Sequence, residues 1–291
     1  MTDNAPVASF RGLAHRVGRF ALGPLDLDLP AGAITALIGP NGAGKTTLID
    51  LVYGLGQPRA GTVALGGLTM PRDVVAIRQR VGHVSPDLGY AGFGRIGAVL
   101  DFVSGFYPDW HADECERLLG VFALSRRDRV GGLSFGERTR LSLVLALARD
   151  TDLLLLDEPA TGLDVAGRHA LFAEMLRYID RPGRAILISS HQLADLERIA
   201  DRVAVMRNGQ IVACGPTSDL VERYQQWDVA LPGAMPELPP TVRVLGRQAG
   251  RVRLMVDLAA ADAGVLTQLD VVAQVPMNLE EVYLGLTGEA A

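Results

Sequence analysis

The stretch Gly39-Pro40-Asn41-Gly42-Ala43-Gly44-Lys45-Thr46-Thr47 decides the fold. It matches the phosphate-loop pattern GxxxxGK[ST] without a gap. The apolar run Ala36-Leu37-Ile38 ahead of it predicts a strand, and the residues from Lys45 to about Tyr53 predict a helix. Glycines let such a turn wrap its backbone N–H groups round anionic oxygens, and the helix start adds a favourable field. Lys45 supplies a point charge for terminal phosphates, and the Thr46 hydroxyl is placed for Mg2+. The plain alternative is a glycine-rich turn before a helix carrying a surface lysine. Composition argues against it: Lys45 is the only lysine in 291 residues, and every other permanent cation is arginine. That position wants a compact ammonium rather than a planar fork.

The second half of the site lies at Leu153-Leu154-Leu155-Leu156-Asp157-Glu158. A fully apolar strand ends in two carboxylates, at the edge where open parallel sheets bind ligands. Asp157 is expected to hold Mg2+ and Glu158 to orient or polarise a water, because phosphoryl transfer needs positioning and charge stabilisation. Taken alone, the pair also fits a helix N-cap after a buried strand. His191 follows the expected strand Ala185–Ser189. It is either a sensor of the terminal phosphate or a helix-capping histidine.

Outward from these motifs, strands are expected near Val7–Phe10, Phe20–Leu29, Ala33–Ile38, Thr62–Leu65 and Arg80–Ser85. Helical periodicity governs about 87–149, over Ala98–Phe106, Ala112–Phe122 and Phe135–Ala148. Strands alternating with crossover helices then imply a mainly parallel α/β sheet with 87–149 inserted as a helical subdomain. Pro232, Pro236, Pro239 and Pro240 mark a linker over 226–240, since proline continues neither a helix nor a central strand. Residues 241–291 read as a small α+β appendage, with strands at Val242–Leu245, Val252–Leu258 and Val271–Val275 and helices at Ala260–Leu269 and Leu279–Leu286. Its role is either to stabilise a dimer or to sense a ligand or dock a partner.

The bulk numbers exclude several classes. With 48% hydrophobic and 21% charged residues, a packed core rather than disorder is expected. A net charge of −5 argues against a sequence-independent grip on nucleic acid. Cys115 and Cys214 are far apart and read as ordinary buried thiols in a reducing compartment. The start MTDNAPVASF lacks a basic region followed by an apolar one, and no stretch approaches the ~20 apolar residues of a membrane helix.

At Leu133-Ser134-Phe135-Gly136-Glu137-Arg138 the chain resembles the LSGGQ-type signature of ABC ATPases. Read locally, Ser134-x-x-Glu137 is a capping box that starts a helix. Its place between Lys45 and Asp157, and the run Glu158-Pro159-Ala160-Thr161-Gly162-Leu163-Asp164, also resemble the family's Walker B to D-loop order. The likeness covers roughly 7–222. It implies a P-loop NTPase of ABC type with a β subdomain, a parallel-sheet core and a helical subdomain, over residues 5–225. By the resemblance, ATP is held by Gly39, Pro40, Asn41, Gly42, Ala43, Gly44, Lys45, Thr46 and Thr47 of one copy. Ser134, Phe135, Gly136 and Glu137 of a second copy would complete the site, with Asp164 reaching across. Glu158 and His191 would be catalytic, and Thr46 and Asp157 would bind Mg2+. The sequence around Phe106-Tyr107-Pro108-Asp109-Trp110 and the ending Asn278-Leu279-Glu280-Glu281-Val282-Tyr283 is most similar to ATPase subunits of bacterial ABC-2-type exporters. That implies a homodimer, a separate transmembrane permease, no nucleic acid, and a cytoplasmic place on the inner face of the membrane.

Three positions depart from the pattern. Val17 stands where an adenine-stacking aromatic is usual, leaving Phe20 as a substitute or as a core residue. The Q-loop glutamine is missing: Pro86 and Asp87 follow Val81-Gly82-His83-Val84-Ser85, with Asp87 a candidate metal contact. Phe135 replaces a small signature residue. The alternative function is an ATP-dependent regulatory binding module with incidental turnover, supported by the altered Q-loop and opposed by Glu158 and His191.

Overall fold

The computed structural model describes residues 5–86, 89–90, 92–231, 238–248, 250–260 and 269–288. Strand β1 (Ala8–Val17) turns back into β2 (Phe20–Leu29) through Gly18, whose left-handed conformation suits a tight hairpin. Sequence periodicity ended β1 at Phe10. The strand runs on through two register shifts around Leu13, so Phe10 and Leu13 are both buried and strict alternation is lost. Then follow β3 (Ala33–Ile38), α1 (Lys45–Tyr53), β4 (Ala60–Leu65), β5 (Leu68–Thr69), α2 (Val74–Arg80) and β6 (Val81–Val84). The helical insertion holds α3 (Ile96–Ser104), α4 (Ala112–Val121) and α5 (Phe135–Leu147). The sheet resumes with β7 (Leu153–Asp157), α6 (Val165–Ile179), β8 (Ala185–Ser189), α7 (Leu193–Ile199), β9 (Arg202–Arg207) and β10 (Gln210–Pro216). The chain closes with α8 (Thr217–Arg223), β11 (Tyr224–Ala230), β12 (Val242–Gln248), β13 (Arg251–Asp257), β14 (Asp270–Pro276) and the last helix α9 (Leu279–Thr287).

The central sheet has the order β10-β9-β3-β8-β7-β6, parallel except for β10 against β9. Its inner strands β9, β3, β8 and β7 are apolar at nearly every position because both faces are covered. On β7, Leu153 and Leu155 face one cluster, with α1 and the β subdomain β2-β1-β4-β5. Leu154 and Leu156 face the other, with α3 to α7. Each such leucine stabilises by about 1.5–3 kcal/mol when fully buried. The sheet therefore fixes the carboxyl ends of β3 and β7 side by side with β8, and the site grows from those ends.

The C-terminal unit corrects the expected boundary. The prolines predict a linker over 226–240, yet β11 occupies Tyr224–Ala230 and pairs with both β13 and β14 in an antiparallel sheet ordered β12-β13-β11-β14. Trp227 and Val229 face a core with Val252 and Leu254, whereas Tyr224 on the opposite side joins the main core. Gln226 and Asp228 look like linker residues locally; only pairing on both edges makes them strand. The expected helix Ala260–Leu269 and much of the proline-rich stretch lie outside the described residues. Of the two thiols expected to be buried, Cys115 is, with burial raising it to about 11, while Cys214 is exposed.

Candidate nucleotide site

The phosphate loop joins β3 to α1 as expected. Gly44, with φ of 108°, precedes the helix; a Cβ there would lie 2.8 Å from the Phe20 ring, and one on Gly39 would lie 2.5 Å from the Met206 carbonyl oxygen. Glycine is required at both. Lys45 is almost buried, and its Nζ donates to the carbonyl oxygens of Gly39 (2.6 Å) and Pro40 (3.3 Å). A cleft of about 420 Å³ runs from Val17 and Phe20 past Gly42, Lys45 and Thr47 to Asp157 and Glu158. Phe20 is half-buried: it packs on the core and also lines the cleft. Val17 is 56% exposed beside it.

The acidic strand end meets this loop directly. The Thr46 hydroxyl donates to Asp157 Oδ2 at 2.7 Å, and the Ser189 hydroxyl donates to Asp157 Oδ1. Asp157 pairs with Ser189 in register across β7 and β8. Ser189 also accepts the Glu158 backbone N–H on its Oγ at 3.0 Å, so one side chain sets both carboxylate positions. Ser189 is a site residue that local motifs do not reveal; its one signal in the chain is a polar residue ending the apolar run Ala185–Ile188. Glu158 itself takes φ of 49°, in the left-handed region that non-glycine residues rarely occupy. Strain of that kind concentrates at functional positions.

His191 Nδ1 lies 2.7 Å from Glu158 Oε2. Its alternative as a helix cap does not hold, because Gln192 is the residue preceding α7. The hard oxygens of Thr46 and Asp157, 2.7 Å apart, suit Mg2+. Among the described residues no cluster of three or more His, Cys, Asp or Glu could hold a metal alone. This donor set therefore fits an ion that is completed by phosphates and water. Asp87, the third expected metal contact, lies outside the described residues.

The signature forms its own surface. Ser134 caps α5: its Oγ accepts the Glu137 N–H at 3.2 Å, and Glu137 Oε2 accepts the Ser134 N–H at 2.8 Å. That backbone bond is the main reason the Glu137 carboxyl sits below its usual range. Asp164 caps α6 by accepting from Gly167 N–H at 2.7 Å and also accepts from Arg140 at 2.7 Å; these bonds, the backbone one first, lower its pKa. Ser134, Phe135 and Glu137 do not line the cleft of their own chain. A further residue missed from sequence is His83 on β6. It stacks on Tyr53 at 4.4 Å between ring centres, and burial drops it to about 4 despite the opposing charge of Asp157.

A phosphate loop and an acidic strand end on a parallel sheet, with a capped signature helix in an inserted helical subdomain, define an ABC-type ATPase. The ABC transporter family matches residues 22–161. The Nod factor export ATP-binding protein I of Ralstonia nicotianae is 31% identical, over 98% of this chain and 95% of its own length. Its counterpart in Paraburkholderia xenovorans is 33% identical, over 91% of each chain. A solved structure of the ATP-binding subunit of an ABC transporter superposes with a TM-score of 0.68 at 27% identity, covering 74% of this chain and 92% of that one. The chain belongs to the ATP-binding subunits of ABC transporters. No helix among the described residues is long and apolar enough to cross a membrane.

Proposed function

We propose that two copies of this chain close head-to-tail on ATP and drive export through a separate membrane permease, from the inner face of the membrane. One observation carries the pairing: the phosphate half of the site is built within one chain around the buried Lys45 and Asp157, whereas the exposed Ser134 and Phe135 of the signature lie outside that cleft. A capped helix start presented to solvent suits an anion brought by a second copy. Export, rather than import, follows the relatives named for Nod factor export; the cargo is read by the permease.

In this scheme Gly39–Thr47 cradle the triphosphate, and Lys45 places its charge at the terminal phosphates. Thr46 and Asp157 would hold Mg2+, which when bound neutralises charge on the phosphate oxygens. Glu158 positions and polarises the attacking water, and Ser189 holds its backbone in the strained conformation. The carboxylate only accepts, so His191 donates from Nδ1 and a neutral ring leaves Nε2 without a proton. Contact between His191 and a phosphate oxygen then requires the protonated ring, or rotation away from Glu158. Ser134, Phe135, Gly136 and Glu137 complete the partner's site, and Asp164 lies at the copy–copy boundary.

The test uses the purified full chain. Wild type should hydrolyse MgATP, and Glu158→Gln should retain ATP and accumulate as a dimer by light scattering. A Glu158→Gln protein that stays monomeric at saturating ATP overturns the pairing. Turnover untouched by that substitution would leave the regulatory-module reading instead. Co-purification with a multi-helix membrane protein encoded beside it checks the permease.

A further inference from the structure

The signature helix α5 and the turn 158–164 that leaves the catalytic carboxylate are fastened together at three points. A Cβ on Gly136 would lie 2.4 Å from the Gly162 carbonyl oxygen, so the two backbones touch. A Cβ on Gly162 would lie 2.5 Å from Cδ1 of Phe135, so the ring lies against that glycine. Arg140 on α5 donates to Asp164 Oδ1 at 2.7 Å, and the same oxygen accepts the Gly167 N–H. The turn is stiff in itself. Thr161 N–H donates to the Glu158 carbonyl and Leu163 N–H to that of Ala160, each at 3.1 Å, and Gly162 has φ of 76°. Phe135 nevertheless stays 37% exposed, an unusual place for a large ring whose only task is burial.

We propose that Phe135 is a positioning residue that carries the state of the signature to Glu158 of the same chain. The inference rests on the paired-copy reading, in which Ser134 and Gly136 face the partner's ATP. When that ATP docks, the start of α5 is held. The ring bears on Gly162, four residues from Glu158, through van der Waals contact that close-packed groups transmit with little slack. Each nucleotide thereby helps to set the carboxylate serving the other, and hydrolysis becomes positively cooperative in ATP. A small residue at 135 would leave a gap over Gly162 and let the turn, and with it Glu158, drift.

The experiment compares wild type, Phe135→Ala and Phe135→Leu as full chains, with thermal melting as a control for folding. Wild type should show a Hill coefficient above one in MgATP turnover. Phe135→Ala should lower the turnover number about 10- to 100-fold, the scale of a small misplacement of a reacting group. Its Hill coefficient should fall to one, while affinity of the single copy for a fluorescent ATP analogue shifts by less than about twofold, since the ring lies outside the cleft. Phe135→Leu, which refills the contact, should restore most of both. Should Phe135→Ala fail to fold, Arg140→Gln releases the third fastening from the surface side and should move turnover and Hill coefficient the same way. Wild-type turnover and cooperativity in Phe135→Ala, or in Arg140→Gln where that is the variant that folds, overturn the proposal. Absence of ATP-driven pairing in Glu158→Gln would sink the paired-copy reading instead, so the two failures are distinguishable.

Discussion

The two halves of the site are built in opposite ways. Lys45 and Asp157 are sunk in the protein and hydrogen-bonded: Lys45 is 8% exposed and Asp157 2%. Around Ser134 the same chain displays a capped helix start to solvent, with its capping hydrogen bonds closed locally and outside the cleft of its own chain. The buried half is preorganised for phosphate before any ligand arrives, which lowers the cost of binding. The open half gains its purpose only from a second molecule.

Five substitutions press on that contrast. The largest effect belongs to Glu158→Gln, which should cut turnover by about a thousandfold or more while ATP binding persists, measured by phosphate release and equilibrium dialysis. Next, Lys45→Ala and Ser134→Ala should separate the halves. The first should weaken nucleotide binding to the single chain by about 100-fold, the scale of losing a buried charge-assisted contact. The second should leave that binding within about twofold but slow turnover about tenfold or more, since a donor for the partner's nucleotide is lost. Equal loss of single-chain affinity in both would erase the distinction.

His83 tests how tightly the buried half is closed. Above pH 6.5 the ring is neutral folded and unfolded. Between its usual 6.5 and about 4 only the unfolded chain takes up the proton, so stability falls as pH falls through that window. The loss approaches about 3 kcal/mol at the lower end. His83→Phe should flatten thermal stability across that range; an unchanged slope would show that the ring is protonated while folded. The smallest effect is a gain. Val17→Tyr puts an aromatic face beside Phe20 at the cleft mouth and should tighten ATP by about 1–2 kcal/mol, read by titration against tripolyphosphate as a base-free control.

Much of this was legible in the chain. The phosphate loop, the four leucines ending in Asp157-Glu158 and the Ser134–Glu137 capping box are contiguous, so their geometry is set by the nearest few residues and their patterns survive in one dimension. The central strands were found for the same reason, since covering on both faces writes itself as an unbroken apolar run. β1 beyond Phe10 was not, because register shifts break the alternation that marks a half-buried strand.

What the sequence determined, then, was which residues meet phosphate and which cap a helix, because glycine conformations, an N-cap hydroxyl and hydrophobic periodicity act over a few bonds. Only the tertiary structure decided that Ser189 ties Asp157 to the Glu158 backbone, that Phe135 rests on Gly162, and that β11 is an inner strand rather than a linker. Those facts depend on groups tens of residues apart being brought to contact by the packed sheet. A chain of side-chain identities carries no record of distance until the core has closed.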